Sequence, residues 1–369
     1  MTQGSQDATF CFETILPGNS LKFKNVLVCG GSGFIGSNFI RYFYYEHPDC
    51  NIVNLDLLTY AGNPDNLRDI EKLEEGRGDF EKRYRFVKGD ICDIGLLEGI
   101  FEKYKPEMVI NFAAESHVDR SIINSYDFIR TNIEGVRSLM EAARKFRVPR
   151  FLQISTDEIY GSVPQGHSTE ESPLKPSNPY AASKAAADLL VQSYMRTHKI
   201  SAVIVRGSNN FGFYQYPEKL IPLAITNMLE GRKIPLHGTG EHIRSWLHVL
   251  DFCSAIDLIA HEAPDYSIYN VSGEEKRNIH VLKMLADCIG KDLDKYKEHI
   301  GDRPGADTRY APNSSKLKHE LGWEARYTLN GSLAELASWY TDNSIWWKKI
   351  KGTKTFQNHY NKQSKAMYY

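Results

Sequence analysis

Two adjacent carboxylic acids follow an apolar stretch of the chain. In "LQISTDEIYG", residues 152–161, a run typical of a buried strand ends in Asp157 and Glu158. Like charges this close oppose each other's ionisation, so the pair can hold one carboxyl protonated and one ionised. General acid and base catalysis uses that combination, although two surface acids at the start of a loop would look the same. Neighbouring side chains of an ideal strand point to opposite faces, so both acids reach one ligand only if the backbone leaves the strand here.

A tyrosine and a lysine four residues apart form a second constellation. Tyr180 and Lys184 of "NPYAASKAAADLL" fall on one face of a predicted helix. An ammonium close to a phenol lowers the pKa of the phenol, which predicts a base that works near neutral pH. The same spacing is common on ordinary helix surfaces, so this interpretation depends on a cofactor site elsewhere in the chain.

A glycine-rich turn near the start of the chain predicts that cofactor site. In "GGSGFIG", Gly30, Gly33 and Gly36 follow a predicted strand and open a predicted helix. Such a turn lets the backbone approach a pyrophosphate at the helix amide terminus. The next strand ends in Asp56, where an acid would accept the ribose hydroxyls and repel an added phosphate. The pattern favours NAD over NADP, since no Arg or Lys follows directly in "DLLTYAG".

Two further strand ends fit a dinucleotide, each with an ordinary alternative. Asp90 and Ile91 of "VKGDICD" could flank an adenine ring, or Asp90 or Asp93 could simply cap a helix. Ala113 and Ala114 follow the fourth predicted strand. Small residues there let a dinucleotide lie against the backbone, or they only allow close helix packing.

The elements that must position these residues alternate along the chain. From Lys24, short apolar runs such as "NVLVCGG" and "RFLQIST" alternate with helix-length amphipathic segments. This alternation predicts an α/β fold with a doubly wound parallel sheet over residues 24–210, to which 246–265 returns. Residues 211–245 and 266–348 have mixed short elements and predict a second, smaller region. Residues 1–23 form an N-terminal extension, and 349–369 are polar enough to suggest a loosely held C-terminal tail.

Composition excludes several classes of function. The 369 residues include 45 Lys and Arg against 46 Asp and Glu, which gives no electrostatic footprint for nucleic acid or an anionic membrane. The 6 cysteines are scattered without metal-ligand spacing, which is typical of cytosolic thiols rather than of zinc or disulfides. No apolar run approaches a membrane span, and the first residues lack a signal-peptide pattern. We therefore expect a cytoplasmic protein without a metal.

Longer stretches carry a family resemblance. "GGSGFIG" with "YAASK" resembles the extended short-chain dehydrogenase/reductase superfamily, whose cofactor domain is of the Rossmann type. "LLTYAGNPDNL", "AAESHVDRSI", "STDEIYG", "SNNFGFYQYPEKLIPL", "IRSW" and "DRPGADTRY" resemble the nucleoside-diphosphate-glucose 4,6-dehydratases of the dTDP-glucose type. The resemblance runs from about residue 24 to about residue 348. It implies a Rossmann-type doubly wound sheet with a smaller C-terminal α/β substrate-binding domain, and tightly bound NAD.

The reaction of that family oxidises C4 of a hexose, removes water across C5 and C6, and returns the hydride to C6. By resemblance, Tyr180 takes the C4 hydroxyl proton with Lys184 tuning it. Asp157 is then the acid for the departing C6 hydroxyl, Glu158 is the base at C5, and Thr156 bonds the C4 oxygen. The 4-keto group acidifies the C5 proton, so an ordinary carboxylate can remove it.

The resemblance also implies the ligand contacts. Asn132 would support the cofactor region, with helix packing as its alternative, and Asn210 would lie on the nicotinamide side. The cofactor set comprises Gly30, Gly33, Phe34, Ile35, Gly36, Asp56, Leu57, Leu58, Thr59, Asp90, Ile91, Ala113, Ala114, Glu115, Ser116, Asn132, Tyr180, Lys184 and Asn210. The substrate set comprises His117, Thr156, Asn209, Lys219, Leu220, Pro235, His237, Arg244, Asn278 and Arg303. Its two arginines and lysine suit a diphosphate, because guanidinium groups match the phosphate oxygens in pairs.

Three positions depart from the usual motifs of the family. Ala306 replaces the histidine of "DRPGHD", Ser245 replaces the acid of "IRDW", and Cys29 replaces a threonine at a buried strand end. The first two leave the nucleotide, dTDP or UDP, and the exact sugar open.

Two other functions compete with the dehydratase interpretation. A sugar-nucleotide 4-epimerase needs NAD, Tyr180 and Lys184 but no acid pair, and a non-catalytic dinucleotide sensor would be expected to lose one of these residues. The resemblance further implies a homodimer through the segments at 122–144 and 180–198, although a helix that covers a sheet needs the same apolar stripes.

Overall fold

The fold is built around one seven-stranded parallel sheet. A computed structural model describes residues 22–79 and 81–368, so most of the predicted N-terminal extension lies outside the described residues. The strand order in the large sheet is β10-β6-β5-β4-β1-β2-β3, and β11-β9-β7 and β12-β8 form two small sheets. In chain order the strands are β1 (Asn25–Cys29), β2 (Asn51–Asp56), β3 (Tyr84–Lys88), β4 (Met108–Asn111), β5 (Arg150–Thr156), β6 (Ala202–Gly207), β7 (Asn209–Phe211), β8 (Ile234–His237), β9 (Ile243–His248), β10 (Ile268–Val271), β11 (Glu274–Arg277) and β12 (Lys297–Ile300).

Helices cover both faces of the large sheet and build most of the second region. In chain order they are α1 (Phe34–Glu46), α2 (Arg68–Glu74), α3 (Ile94–Tyr104), α4 (Val118–Ile123), α5 (Tyr126–Ile129), α6 (Val136–Phe146), α7 (Pro179–His198), α8 (Leu220–Glu230), α9 (Val249–Glu262), α10 (Asn278–Ile289), α11 (Leu293–Tyr296), α12 (Ser315–Leu321), α13 (Leu329–Asp342), α14 (Ser344–Lys351) and α15 (Lys354–Gln363). Short 3₁₀ turns at Pro64–Leu67 and Asp157–Tyr160 and a π-helical turn at Arg130–Gly135 complete the pattern.

The strands are apolar on both faces because both faces are covered. Val26 and Val28 of β1 pack into the core beneath α1 and α9, whereas Leu27 and Cys29 pack into the core beneath α3 and α6. β1 pairs with both β2 and β4, so the strand order reverses beside it. Ligands of such sheets bind outside the carboxyl ends of the strands at this reversal, which is where the glycine turn lies.

The second region is held together by its own apolar core. Helices α8, α10 and α13 supply Ile225, Leu282, Leu285 and Leu333 to that core, together with Phe211 of β7. One strand after residue 265 does not belong to it. Ile268–Val271, which the sequence placed in the second region, pairs in parallel with β6 and forms the edge of the large sheet.

The C-terminal tail is helical and packed, contrary to the expectation of a loosely held segment. Lys351 is buried and its Nζ donates to Asn227 Oδ1 at 2.8 Å. Phe356 packs with Tyr216 and Leu223. Polar composition misled the prediction, because a few well-placed apolar residues anchor the segment. Within residues 22–79 and 81–368, no helix is both long and apolar enough to cross a bilayer.

Candidate active site

The glycine turn after β1 can only be built from glycine. Gly30 has φ +76°, and a Cβ there would lie 2.5 Å from the backbone nitrogen of Ala113. A Cβ on Gly36 would lie 2.3 Å from the carbonyl oxygen of Gly30. Helix α1 begins at Phe34 with no acid in its first turn, so its free N–H groups offer a site for a phosphate.

Asp56 ends β2 at the rim of the same cavity. Its Oδ2 accepts from the Ser32 N–H at 2.9 Å, and its Oδ1 accepts from the Leu58 N–H at 2.7 Å. Burial raises the pKa of Asp56, and these two backbone hydrogen bonds oppose the shift. Each carboxylate oxygen has a further lone pair that could accept a ribose hydroxyl.

Most of the predicted cofactor residues line one cavity. It is bordered by Gly30, Gly33, Phe34, Ile35, Gly36, Asp56, Leu57, Thr59, Asp90, Ile91, Ala113, Ala114, Glu115, Ser116, Tyr180 and Lys184. Three predicted members do not line it. Leu58 contributes its N–H to Asp56, Asn132 lies behind the wall, and Asn210 borders the neighbouring cavity.

Asn132 supports this cavity from a π-helical turn. Its Oδ1 accepts from the Glu115 N–H at 2.9 Å, and its Nδ2 donates to the Glu115 carbonyl at 3.0 Å and to Ser183 Oγ at 2.8 Å. It therefore ties the chain after β4 to α7. Of the two acids after β3, Asp93 caps α3, and Asp90 faces the cavity while pairing with Arg130 at 2.5 Å.

The acid pair lies where the backbone leaves the large sheet. β5 ends at Thr156, whose Oγ1 accepts from the Glu158 N–H at 3.3 Å and caps the 3₁₀ turn Asp157–Tyr160. Gly161, with φ +70°, closes the turn, and a Cβ there would lie 2.2 Å from the carbonyl oxygen of Lys175. The backbone therefore leaves the strand at the acid pair.

The two acids differ in exposure and surroundings. Asp157 is 2% exposed and lines neither cavity, and burial together with the charge of Glu158 raises its pKa well above the usual value. Burial also raises the pKa of Glu158, but Arg244, Lys219 and Arg303 oppose that shift. Glu158 borders the second cavity and accepts from the Tyr310 hydroxyl at 3.3 Å. Asp157 is thus the carboxyl that holds a proton, and Glu158 is the one that ionises more readily.

Tyr180 and Lys184 lie in the first two turns of α7. Asn178 caps this helix by accepting from the Ala181 N–H at 2.9 Å, and Pro179 occupies its first turn. The expected lowering of the Tyr180 pKa is wrong for this structure, because burial and the charge of Glu158 raise it and only a hydrogen bond with Thr156 opposes them strongly. Lys184 Nζ instead donates to the Ile154 carbonyl at 2.6 Å. Burial lowers the pKa of Lys184 to about 8.

The predicted substrate residues border a second cavity next to the first. Among them are His117, Asn209, Lys219, Leu220, Pro235, His237, Arg244, Asn278 and Arg303, whereas Thr156 does not border it. Arg244 donates to the Asp307 carbonyl at 3.0 Å and lies 4.2 Å from the centre of the Tyr310 ring. Lys219 Nζ donates to the Ser116 carbonyl at 3.1 Å. Three cations therefore lie along one cavity, although Arg303 pairs with the buried Asp119.

Several site residues were missed in the sequence. Gln215 and Glu218 were not predicted; together with the predicted Lys219 they line both cavities, so the two spaces meet at these side chains. Glu218 and Tyr310 stand inside "YPEKL" and "DTRY", where the resemblance drew attention to other positions. Gln363 also borders the second cavity, and no motif in the polar tail marks it.

Two of the unusual motif positions have different consequences. Ala306 borders the second cavity, so loss of the histidine removes a side chain from the substrate space. Ser245 is buried, and its Oγ accepts from the Gly273 N–H at 2.9 Å. It holds a loop and does not line the cavity, so its replacement bears on packing rather than on the nucleotide.

Fold and site together define a class of protein: a short-chain dehydrogenase/reductase whose dinucleotide cavity meets a second cavity bordered by Glu158. Residues 27–336 match the family model described as GDP-mannose 4,6 dehydratase. The chain belongs to this family, and the predicted family and fold class are confirmed.

Individual relatives differ in how similar they are to this chain. The dTDP-glucose 4,6-dehydratase of Streptomyces niveus is 43% identical over 331 residues, covering 88% of this chain and 95% of the relative. The crystal structure of DesIV, a dTDP-glucose 4,6-dehydratase from Streptomyces venezuelae with NAD bound, matches with a TM-score of 0.83 at 41% identity, over 89% of this chain and 100% of that one. A UDP-glucose 4-epimerase from Thermotoga maritima matches with a TM-score of 0.78 at 25% identity, over 87% and 99%. Epimerases thus share the fold, while the higher identity is to dehydratases.

Proposed function

We propose that this protein is an NAD-dependent hydro-lyase that converts dTDP-glucose to dTDP-4-keto-6-deoxy-glucose. The observation that carries the proposal is the 3₁₀ turn after β5, whose two carboxyls lie close to Tyr180 and differ in surroundings: Asp157 is enclosed, and Glu158 borders the second cavity. The similarity to dTDP-glucose 4,6-dehydratases over 88% of the chain supports it.

The cofactor cavity fits NAD. Because Gly30 has no Cβ, its backbone can pack directly against the backbone of Ala113. The first turn of α1 offers N–H groups to the pyrophosphate of the dinucleotide. Asp56 would accept the ribose hydroxyls and disfavour a ribose phosphate. When bound, NAD supplies the acceptor for the C4 hydride and the donor that reduces C6.

Side chains of the protein transfer the protons at C4, C5 and the C6 hydroxyl. Tyr180 takes the proton of the C4 hydroxyl as the phenolate, a charge state that Lys184, the cation one helical turn further on the same face, favours. Glu158 removes the proton at C5, which the 4-keto group has made acidic, while Asp157 protonates the departing C6 hydroxyl. The different pKa values of the two acids suit these opposite roles.

The diphosphate belongs to the cationic side of the second cavity. Arg244, Lys219 and Arg303 border it, and together they can offset the charge of a diphosphate. Because Ala306 leaves the nucleotide less constrained, a UDP-sugar is the alternative substrate. A 4-epimerase is disfavoured, since it eliminates no water and has no use for the buried acid pair.

A product assay tests the proposal directly. Purified protein with NAD is incubated separately with dTDP-glucose, UDP-glucose and UDP-N-acetylglucosamine, and the products are identified by mass spectrometry and sugar NMR. We expect dTDP-glucose to lose one water and yield the 4-keto-6-deoxy sugar. Loss of water from none of the three sugars would refute the dehydratase, and an unchanged mass with inverted C4 would identify an epimerase.

We further propose a cytoplasmic homodimer. Exposed apolar side chains on α5 and α7, among them Ile129 at 54% and Leu189 at 58% exposure, support an interface on this side of the cofactor domain. Residues 122–144 and 180–198 supply this face.

A further inference from the structure

The last helix of the described chain is anchored beside the substrate cavity. Thr353 caps α15 by accepting from the Phe356 N–H at 3.2 Å. Phe356 packs with Tyr216, and the Tyr360 hydroxyl accepts from Asn227 Nδ2 at 3.1 Å. These contacts fix the direction in which the chain leaves α15, toward β8 and the loop after β12.

The end of α15 contributes directly to the cavity wall. Gln363 is 4% exposed, borders the cavity, and donates through Nε2 to the Glu218 carbonyl at 3.3 Å. The same Nε2 lies 3.5 Å from His117 Nε2. Within residues 22–79 and 81–368, Gln363 Oε1 has no hydrogen-bond partner although it is buried. A buried amide oxygen without a partner in a ligand cavity is available to a donor on the ligand.

Tyr368, five residues after Gln363, contacts His237 and Arg303, which both border the cavity. Its hydroxyl oxygen lies 3.4 Å from His237 Nδ1, which is 3.1 Å from the Gly301 carbonyl. Since a carbonyl can only accept, His237 Nδ1 carries the proton and Nε2 is left as an acceptor. The Tyr368 hydroxyl also lies beside the Arg303 guanidinium, whose other partner is Asp119.

His237 and Arg303 border the substrate cavity and not the cofactor cavity. The hexose must lie at Glu158, close to Tyr180, so residues remote from the cofactor face another part of the substrate. In a sugar nucleotide that part is the nucleoside diphosphate.

We propose that the C-terminal segment 353–368 is part of the substrate site and recognises the nucleoside diphosphate. Gln363 is a specificity-determining contact, and Tyr368 is a positioning residue that fixes His237 and Arg303. The inference rests on the proposed function and deepens it, because it assigns nucleotide recognition to a segment beyond the matched family region, which ends at residue 336.

The test uses the NAD-loaded protein and the variants Tyr368→Ala, Tyr368→Phe and Gln363→Leu. Met367→Ala is the matched control, because Met367 is adjacent but 52% exposed. Binding of dTDP and UDP is measured by isothermal titration calorimetry, and kcat and KM are measured with dTDP-glucose. We expect Tyr368→Ala to weaken dTDP binding and raise KM by about ten-fold, with kcat within about two-fold of the unchanged protein.

The other variants separate recognition from packing. Tyr368→Phe keeps the ring and loses the hydroxyl, so about a five-fold loss is expected, and Gln363→Leu should weaken dTDP similarly. Equal dTDP affinity in all variants, or a fall in kcat at unchanged affinity, would overturn the inference alone. Failure of the unaltered protein to bind either nucleoside diphosphate would overturn the proposed function as well. Thermal melting and NAD content accompany each variant, and Gln363→Leu decides the question if Tyr368→Ala does not fold.

Discussion

At the scale of single residues, the acid pair shows how surroundings can give two neighbouring carboxyls different roles. Burial and the charge of Glu158 raise the pKa of Asp157. Burial also raises the pKa of Glu158, but cations of the substrate cavity oppose that rise. The sequence predicted the pair and the need for a bend. It could not predict that Tyr180 has a raised pKa, because that depends on burial and on Glu158 rather than on the helical spacing to Lys184.

Replacing Glu158 by Gln should abolish water loss. The amide cannot remove the C5 proton, so turnover should fall by about 100-fold or more. Product mass and exchange of the C5 hydrogen with deuterated solvent report the step. Glu171→Gln, at an exposed acid, is the control and should keep full activity. Full turnover by Glu158→Gln would show that Glu158 is not the base at C5.

The pH dependence of kcat should be bell-shaped. On the acidic side Glu158 becomes protonated as pH falls through its raised pKa, and the base is lost. On the alkaline side the ammonium of Lys184 loses its proton around its lowered pKa of about 8, and Asp157 also ionises as pH rises through its raised pKa. Measured kcat at saturating substrate should therefore decline above that value. Constant activity far into the alkaline range would show that neither group must be protonated.

At the scale of elements, the site could be predicted where a motif and a strand end coincide. The glycine turn, Asp56 and the acid pair all follow strands whose apolar runs are plain in the sequence. The π-helical turn that carries Asn132 and the helix that carries Gln363 were not predictable in this way. Their conformations depend on tertiary contacts to Glu115, Ser183, Tyr216 and Asn227 rather than on local pattern.

Gly30→Ala should disrupt the cofactor site. The new Cβ would meet the backbone of Ala113 at 2.5 Å, and the left-handed conformation alone costs about 1–2 kcal/mol. We expect loss of bound NAD, measured in the supernatant of denatured protein, and a lower free energy of unfolding in urea. Gly99→Ala is the matched control, because Gly99 lies within α3 and a Cβ added there would meet no other atom within 4 Å. That variant should keep NAD and gain about 0.5–1 kcal/mol of stability.

At the scale of the whole molecule, one side of the cofactor domain carries large exposed apolar side chains. Tyr126 is 67% exposed, Ile129 is 54% and Leu189 is 58%, and α5 packs against α7 so that they can form one surface. Where exposed apolar side chains form one patch, such a patch marks an interface between proteins. The sequence predicted these segments as a dimer face, but exposure of the individual residues became visible only in the fold.

Leu189→Arg should convert the proposed dimer to a monomer. A charge within an apolar interface would be buried without a partner, which disfavours association. Light scattering after size-exclusion chromatography measures the mass. Ile345→Arg is the control, since Ile345 is 85% exposed on α14, outside this surface. A monomer before mutation, or a dimer that tolerates Leu189→Arg, would place the contact elsewhere.

The shared wall between the two cavities has a thermodynamic consequence. Gln215, Glu218 and Lys219 border both spaces, so a ligand in either cavity would lie beside the same three side chains. By linkage, any gain in nucleotide-sugar affinity caused by the dinucleotide must be matched by an equal gain in dinucleotide affinity caused by the sugar nucleotide. Any coupling between cofactor retention and substrate capture is therefore one free energy that is equal in both directions.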